Sequence, residues 1–367
     1  MTTTAIAAVL RDSDGKFELE EVELGPLESD ELLVKVVGAG LCHTDLLLRD
    51  PNFLAQTGPI ILGHEGSGIV EAVGSAVRGV EVGDHVLMSF ESCGRCRNCL
   101  AGSPSYCDEF MSRNLTGRRA DLSTGALDRN GNPVANRWFG QSSFATHAIA
   151  TERNVVVVDK ALPLELLGPL GCGLQTGAGS VLNEMKLAAG QSIAVFGAGG
   201  VGLAAVMAAK AAGARDIVVV DLVDSRLETA VEVGATRTVR GDAPDLVEAI
   251  KNGGRGLDFS FETTAVTSVI TMAVSILDTP GKAVLVGGGS GKLDIDPVLL
   301  AGKSVTYVLE GSSVPQVFLP QLVDLWQRGW FPFDKLVQTY TLDQINQAVE
   351  DSLSGKAIKP VLTPAHH

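Results

Sequence analysis

The chain has 367 residues, 42 of them glycine, and a formal net charge of −14. Such a length favours two domains over a single core. The acidic balance argues against nucleic acid or an anionic membrane surface as a partner.

No basic, apolar leader opens the sequence, because Arg11 and Asp12 cut the first apolar run short. The first third then reads as β-rich. Residues 32–37 and 68–73 are strand-like, and 83–88 read as a turn entering another strand. A cysteine cluster follows directly: Cys93-x2-Cys96-x2-Cys99-x7-Cys107. The x2 spacings let a knuckle of backbone fold around one ion, and the x7 gap returns the fourth thiolate. The cluster therefore reads as a closed, structural zinc site. An iron–sulfur cluster is the competing reading, but the spacing does not match the common ferredoxin patterns. Clustered thiols without a secretion signal read as metal ligands rather than disulfides, which implies the reducing cytoplasm. Residues 108–143, rich in Asn, Arg, Gly, Asp and Ser, read as a long irregular segment.

From about 175 to 305 strand and helix alternate. Strands are expected at 192–196, 216–220, 257–262 and 281–287, with helices at 201–212 and ending near 231–235. This is the pattern of a doubly wound parallel sheet in an α/β fold. The apolar run 193–209 is broken by Gly197, Gly199, Gly200 and Gly202, so it reads as strand, turn and helix rather than a membrane span. The tail, from about 315, carries two amphipathic helices and a short strand around 360–362.

Gly197-Ala198-Gly199-Gly200-Val201-Gly202 sits where the first of those strands meets its helix. In that context it is a dinucleotide fingerprint: backbone N–H groups and the helix N-terminus meet a pyrophosphate. Asp221 ends the next strand, where a carboxylate accepts from the adenosine 2′-hydroxyl and repels a 2′-phosphate. The cofactor is accordingly NAD rather than NADP.

Two further cysteines, Cys42 and Cys172, lie far apart, with Gly63-His64-Glu65 between them. Taken singly, each is a small buried hydrophobe or a satisfied histidine. Taken together with a dinucleotide domain, a Cys/His/Cys set is a metal site with its fourth position open for chemistry.

In this respect the chain resembles the zinc-containing medium-chain alcohol dehydrogenases. The matching elements are Gly40-x-Cys42-x-Thr44-Asp45, Gly63-His64-Glu65-x-x-Gly68, the four-cysteine lobe, Gly171-Cys172-Gly173-x-x-Thr176-Gly177 and the Gly197 fingerprint with Asp221. They occur in the family's order along essentially the whole chain, and the subgroup is most similar to bacterial aryl-alcohol (benzyl-alcohol type) dehydrogenases. The resemblance implies a GroES-like catalytic domain from 1–175 and 311–367 and a Rossmann domain over 176–310. It implies two zinc ions, one structural and one catalytic on Cys42, His64 and Cys172, with Glu65 behind the latter as an occasional ligand. Asp45 would hold the His64 imidazole. Thr176, Val201 and Val286 would border the cofactor; Arg226 would reach the adenosine ribose; His43 and Lys359 would face the pyrophosphate.

The implied reaction is reversible hydride transfer between an aromatic or allylic primary alcohol and NAD+, with Thr44 taking the alcohol proton. The family's best-studied members often place a His five positions after the first Cys ligand; this chain has Leu47. The proton path must then end in solvent, His43 or another group. Phe90, Leu115 and residues 286–290 are candidate pocket walls. A glutathione-dependent formaldehyde dehydrogenase is the nearest rival, since Arg118 and Arg119 could receive glutathione carboxylates. The resemblance also implies a homo-oligomer, dimer or tetramer, with an edge strand near 305–309 as a candidate contact.

Overall fold

The computed structural model describes residues 2–12, 15–49, 58–289 and 291–366. The chain divides into two units. One comprises Met1–Cys172, Val314–Pro320 and Asp334–His367; the other comprises Gly173–Ser313 and Gln321–Phe333.

The first unit is built on two sheets. Its central strand, Glu31–Gly40, pairs antiparallel with Gly66–Val73, His147–Thr151 and Lys359–Thr363. Leu32, Val34, Val36 and Ala39 of that strand are buried to within 0 % exposure, so it forms the middle of the unit's core. The pairing register has a direct consequence for chemistry. Ala39 lies opposite Gly66 and also opposite Leu362. The residues just beyond these pairs, Cys42, His64 and Glu65, and Lys359, are therefore delivered to one end of the sheet.

The segment 108–143 is more ordered than its composition suggests. It holds a helix, Phe110–Asn114, and the strands Ala126–Asp128 and Pro133–Val134. The former strand extends the second sheet, pairing Leu24 with Ala126 and Val22 with Asp128. Strands of two and three residues are too short to display a period, which is why the sequence reads as irregular there. Partly buried ion pairs also hold the segment: Arg119 grips Glu31 at 2.7 and 2.8 Å, and Arg113 meets Glu91 at 2.8 Å.

The second unit is a six-stranded sheet, parallel throughout. In space its strands run Arg237–Arg240, Asp216–Asp221, Ser192–Phe196, Leu257–Glu262, Leu277–Leu285, Lys303–Tyr307. Numbered along the chain, that is the order 3-2-1-4-5-6, in which dinucleotides bind where the order reverses, beyond the carboxyl end of the first strand. Phe196, Val218, Val220, Ile250, Val274 and Ile276 form one buried cluster between sheet and helices. The helix Gly200–Ala211 is apolar and buried along most of its length, and no helix among the described residues is long and apolar enough to cross a membrane.

Candidate metal and cofactor sites

The cysteine lobe forms from local chain. Cys96 precedes the short helix Arg97–Leu100, and its sulfur accepts from the Cys99 N–H at 3.5 Å. Cys93 Sγ accepts from the Cys96 N–H at 3.3 Å; Cys107 Sγ accepts from the N–H groups of Cys93 and Glu109 at 3.3 and 3.4 Å. Such donors favour thiolates. Backbone N–H groups of Asp108 and Cys99 draw the Cys96 thiol down to about 6. All four sulfurs lie within 4.8 Å of one another, with Cys93 and Cys99 at 4.0 Å. A tetrahedral zinc with Zn–S of ~2.3 Å requires edges of roughly 3.8 Å. The donor set and spacing fit a closed zinc site. None of the six cysteines is in a disulfide.

The second cluster is assembled from distant chain. Cys42, His64, Glu65 and Cys172 bring their ligand atoms within 4.8 Å of one another. His64 is wholly buried, and its Nε2 lies 3.2 Å from Cys172 Sγ. The other ring nitrogen, Nδ1, meets Asp45 Oδ1 at 2.7 Å. Asp45 is placed by a capping arrangement at the start of His43–Leu46, where its Oδ2 accepts from the Cys42 N–H at 3.1 Å. Gly63 holds φ +90° and packs against Phe144 where a Cβ would collide, so the turn into His64 requires glycine. Cys172 follows the turn Gly168–Gly171, which is tied down by Ser89 Oγ donating to the Gly171 carbonyl at 2.6 Å.

The electrostatics favour a cation. The neighbouring Cys172 thiol draws Cys42 well below its ordinary value; burial opposes this, and His64 adds to it. Burial would lower His64, but the Asp45 carboxylate outweighs it and holds the imidazole well above its ordinary value. A thiol drawn down beside an imidazole drawn up is a pair whose protons a metal ion displaces on binding. Two sulfurs and an imidazole nitrogen are zinc's preferred donors.

Glu65 sits behind this group. Burial pushes its carboxyl up to about 7, and Lys359 limits the rise. The resemblance places Lys359 at the cofactor pyrophosphate. Its Nζ is instead buried and bonds both Glu65 oxygens, at 2.9 and 3.0 Å, because an ammonium among apolar strands needs the nearest anion. His43 is exposed, and Thr44 Oγ1 lies 3.7 Å from Cys42 Sγ.

Thr176, Val201, Asp221, Arg226 and Val286 belong to the second unit with the glycine motif. Gly177, beside Thr176, packs on the Val201 carbonyl, and a Cβ on Gly202 would collide with the Gly197 carbonyl. Gly199 differs, because a Cβ there would meet nothing within 4 Å. The open space beside it suits a phosphate approaching the backbone. Asp221 fixes this turn, accepting from the Ala198 N–H at 2.7 Å and the Val223 N–H at 2.9 Å. Arg226 lies on the helix Asp224–Val233, and its buried Nε has no protein partner among the described residues. Val286 donates its N–H to the Glu262 carbonyl at 3.0 Å, just past the fifth strand.

Three side chains around His64 escape sequence reasoning. The Phe139 ring stacks on the imidazole, with centroids 4.4 Å apart and planes at 28°. Trp138 Nε1 donates to Asp45 Oδ1 at 3.1 Å. Gln141 Nε2 donates to the His64 carbonyl at 3.0 Å. No motif marks them; the adjacent Trp138-Phe139 pair in a polar stretch is the only available signal.

A parallel-sheet unit with an open glycine turn, joined in one chain to a β unit carrying two metal-shaped cysteine clusters, defines a zinc-dependent dehydrogenase. Residues 28–160 match the family model described as alcohol dehydrogenase GroES-like domain, and 200–327 match that of zinc-binding dehydrogenase. A geraniol dehydrogenase from Castellaniella defragrans is 45 % identical over 365 residues, 98 % of this chain and 97 % of the relative. Among solved structures, an alcohol dehydrogenase zinc-binding domain protein from Burkholderia ambifaria superposes with a TM-score of 0.97 at 45 % identity, over 100 % of both chains. The benzyl alcohol dehydrogenase from Acinetobacter calcoaceticus gives 0.95 at 43 % identity, over 99 % of this chain and 100 % of that one. The chain belongs to the zinc-dependent, medium-chain alcohol dehydrogenase family.

Proposed function

We propose that this protein interconverts an aromatic or allylic primary alcohol and its aldehyde, with NAD as hydride carrier. The observation that carries the reading is the buried Cys42, His64 and Cys172 set, oriented by Asp45 and backed by Glu65. These three residues would hold the catalytic zinc, and Cys93, Cys96, Cys99 and Cys107 the structural one. When bound, the catalytic zinc supplies Lewis-acid polarisation of a substrate oxygen, and NAD+ supplies the two-electron acceptor.

The chain's own residues do the rest. Thr44, whose Oγ1 lies 3.7 Å from Cys42 Sγ, would take the alcohol proton. Leu47 offers no onward base, so the proton leaves to solvent past exposed His43. The glycine turn binds the pyrophosphate, and Asp221 accepts from the ribose, selecting NAD. Phe90, Phe110, Phe139 and Trp138 form a continuous chain of ring contacts with centroids 5.4–6.3 Å apart. This buried packing reaches His64 through Phe139; the proposed substrate is an aromatic or allylic alcohol rather than ethanol. The named activities of the geraniol and benzyl alcohol dehydrogenases agree with that preference. Arg119, a candidate for glutathione carboxylates, is already taken by Glu31, which weighs against the formaldehyde reading. The edge strand Lys303–Tyr307 is the contact we propose for a homo-oligomer.

The test is a panel of ethanol, benzyl, cinnamyl and geranyl alcohols with NAD+ and with NADP+, ranked by kcat/KM, plus formaldehyde with and without glutathione. Benzyl or geranyl alcohol with NAD+ should lead. Ethanol at the top, or turnover that depends on glutathione, would overturn the assignment.

A further inference from the structure

Asp45 is wholly buried, and its Oδ1 is shared three ways. It meets His64 Nδ1 at 2.7 Å, accepts from the Gly63 N–H at 3.1 Å and accepts from Trp138 Nε1 at 3.1 Å. The first two partners are neighbours in sequence. The third comes from 93 positions away. The other Asp45 oxygen, Oδ2, accepts from the Cys42 N–H at 3.1 Å, so backbone donors meet both oxygens and the indole adds a further fixed point. A rigid indole donor, with no freedom in its N–H direction, fixes the carboxylate plane and hence the imidazole.

The surrounding chain is built to deliver that indole. Phe139 and Ser142 hold left-handed backbone, with φ of 50° and 53°. Residues with side chains adopt this region only when their surroundings insist, and such strain gathers at working sites. Here the strained turn touches His64 from three directions. Trp138 reaches its Nδ1 partner, Phe139 covers its ring face, and Gln141 bonds its carbonyl. Ser142 Oγ closes the turn by accepting the Trp138 N–H at 2.9 Å. Arg137 anchors its base: Nη1 donates to the Ile149 carbonyl at 2.7 Å, and Nη2 meets Glu91 at 3.4 Å.

We propose that Trp138 is a positioning residue for His64, acting through Asp45, and that it sets how tightly the Cys42, His64 and Cys172 group holds its metal. The inference rests on the reading of that group as a metal site. Its consequence is geometric. His64 Nε2 must point where Cys42 and Cys172 converge, and the indole bond limits the rotation that would turn it away.

The experiment uses the full chain loaded with metal. Chelator-driven release of each ion is followed in the wild type, Trp138→Phe and Cys172→Ala, the last identifying which ion is which. Cobalt absorption is recorded at the same site. Trp138→Phe should release that ion about 3- to 10-fold more readily, less than the roughly 10- to 100-fold cost of losing a ligand's direct partner such as Asp45, and shift the cobalt bands. The ion of the cysteine lobe should be unaffected. Release and bands like those of the wild type would overturn the proposal. A wild type that binds no ion at Cys42, His64 and Cys172 would instead overturn the underlying reading. Should Trp138→Phe fold poorly, the wild type still decides through its 15N-labelled indoles. The Trp138 N–H signal should move when that ion is removed, while those of Trp326 and Trp330 stay. A stationary Trp138 signal would count against the proposal.

Discussion

The two cysteine clusters use the same element for opposite ends. In the lobe at 93–107 every sulfur comes from one short loop, three of the four cysteines are only partly buried, and backbone N–H groups supply the donors. In the Cys42, His64 and Cys172 group, ligands converge from separate stretches of chain, and their surrounding partners are buried charged side chains. A local loop can close around an ion with little help from the rest of the fold. A dispersed group needs the whole sheet to bring it together, and its geometry is set by residues such as Asp45 and Glu65 that never leave the interior. The first arrangement suits a clamp; the second suits a site whose electrostatics are tuned.

The strongest way to break this comparison is to remove one ligand from each cluster. Cys172→Ala should lower kcat/KM about a thousandfold, or ~4 kcal/mol, and lose one ion per chain in metal analysis, with little change in melting. Cys107→Ala should lose the other ion and about 3 kcal/mol of stability, seen as a melting point lower by roughly 10 °C. The fraction still folded should turn over at nearly the parent kcat. If Cys107→Ala stays folded yet loses turnover, the division of labour is wrong.

A smaller effect concerns the segment that carries Trp138. Burial raises the Glu31 carboxyl, but Arg119 and Arg137 outweigh it and hold the folded value below the ordinary 4.5. A carboxylate depressed in the folded state contributes stability that is full above its unfolded value and is lost as pH falls through its folded value. Glu31→Gln should therefore cost about 2 kcal/mol near neutrality, and the gap to the parent should close below pH 4.5. Denaturant titrations at several pH values check this; a gap that widens in acid would contradict it. The smallest effect is expected at the cofactor turn. Asp221→Gly should raise the ratio of NADP to NAD use about tenfold, ~1.4 kcal/mol, because the carboxylate that repels a 2′-phosphate is gone. It should also loosen the turn, which loses the acceptor for the Ala198 N–H.

Much of this molecule can be read from its residues in order. The cysteine lobe needs only spacing, because its geometry is local. The dinucleotide turn needs a strand, a glycine pattern and a helix in succession, all visible along the chain. Lys359 shows where that reasoning stops. Its place in the sequence gives no sign of Glu65, yet the strand Glu31–Gly40, paired with both Gly66–Val73 and Lys359–Thr363, sets the two charges in contact. The segment 108–143 looks structureless because its strands are too short to show a period and its ion pairs reach far along the chain, Arg119 to Glu31 across 88 positions. Cys42, His64 and Cys172 are single residues in apolar surroundings until the fold brings His64 and Cys172 together across 108 positions. Periodicity and spacing report interactions between near neighbours. Which buried donor meets which buried carboxylate, as Trp138 meets Asp45, depends on strand register and on turns held in strained backbone, and only the folded chain decides those.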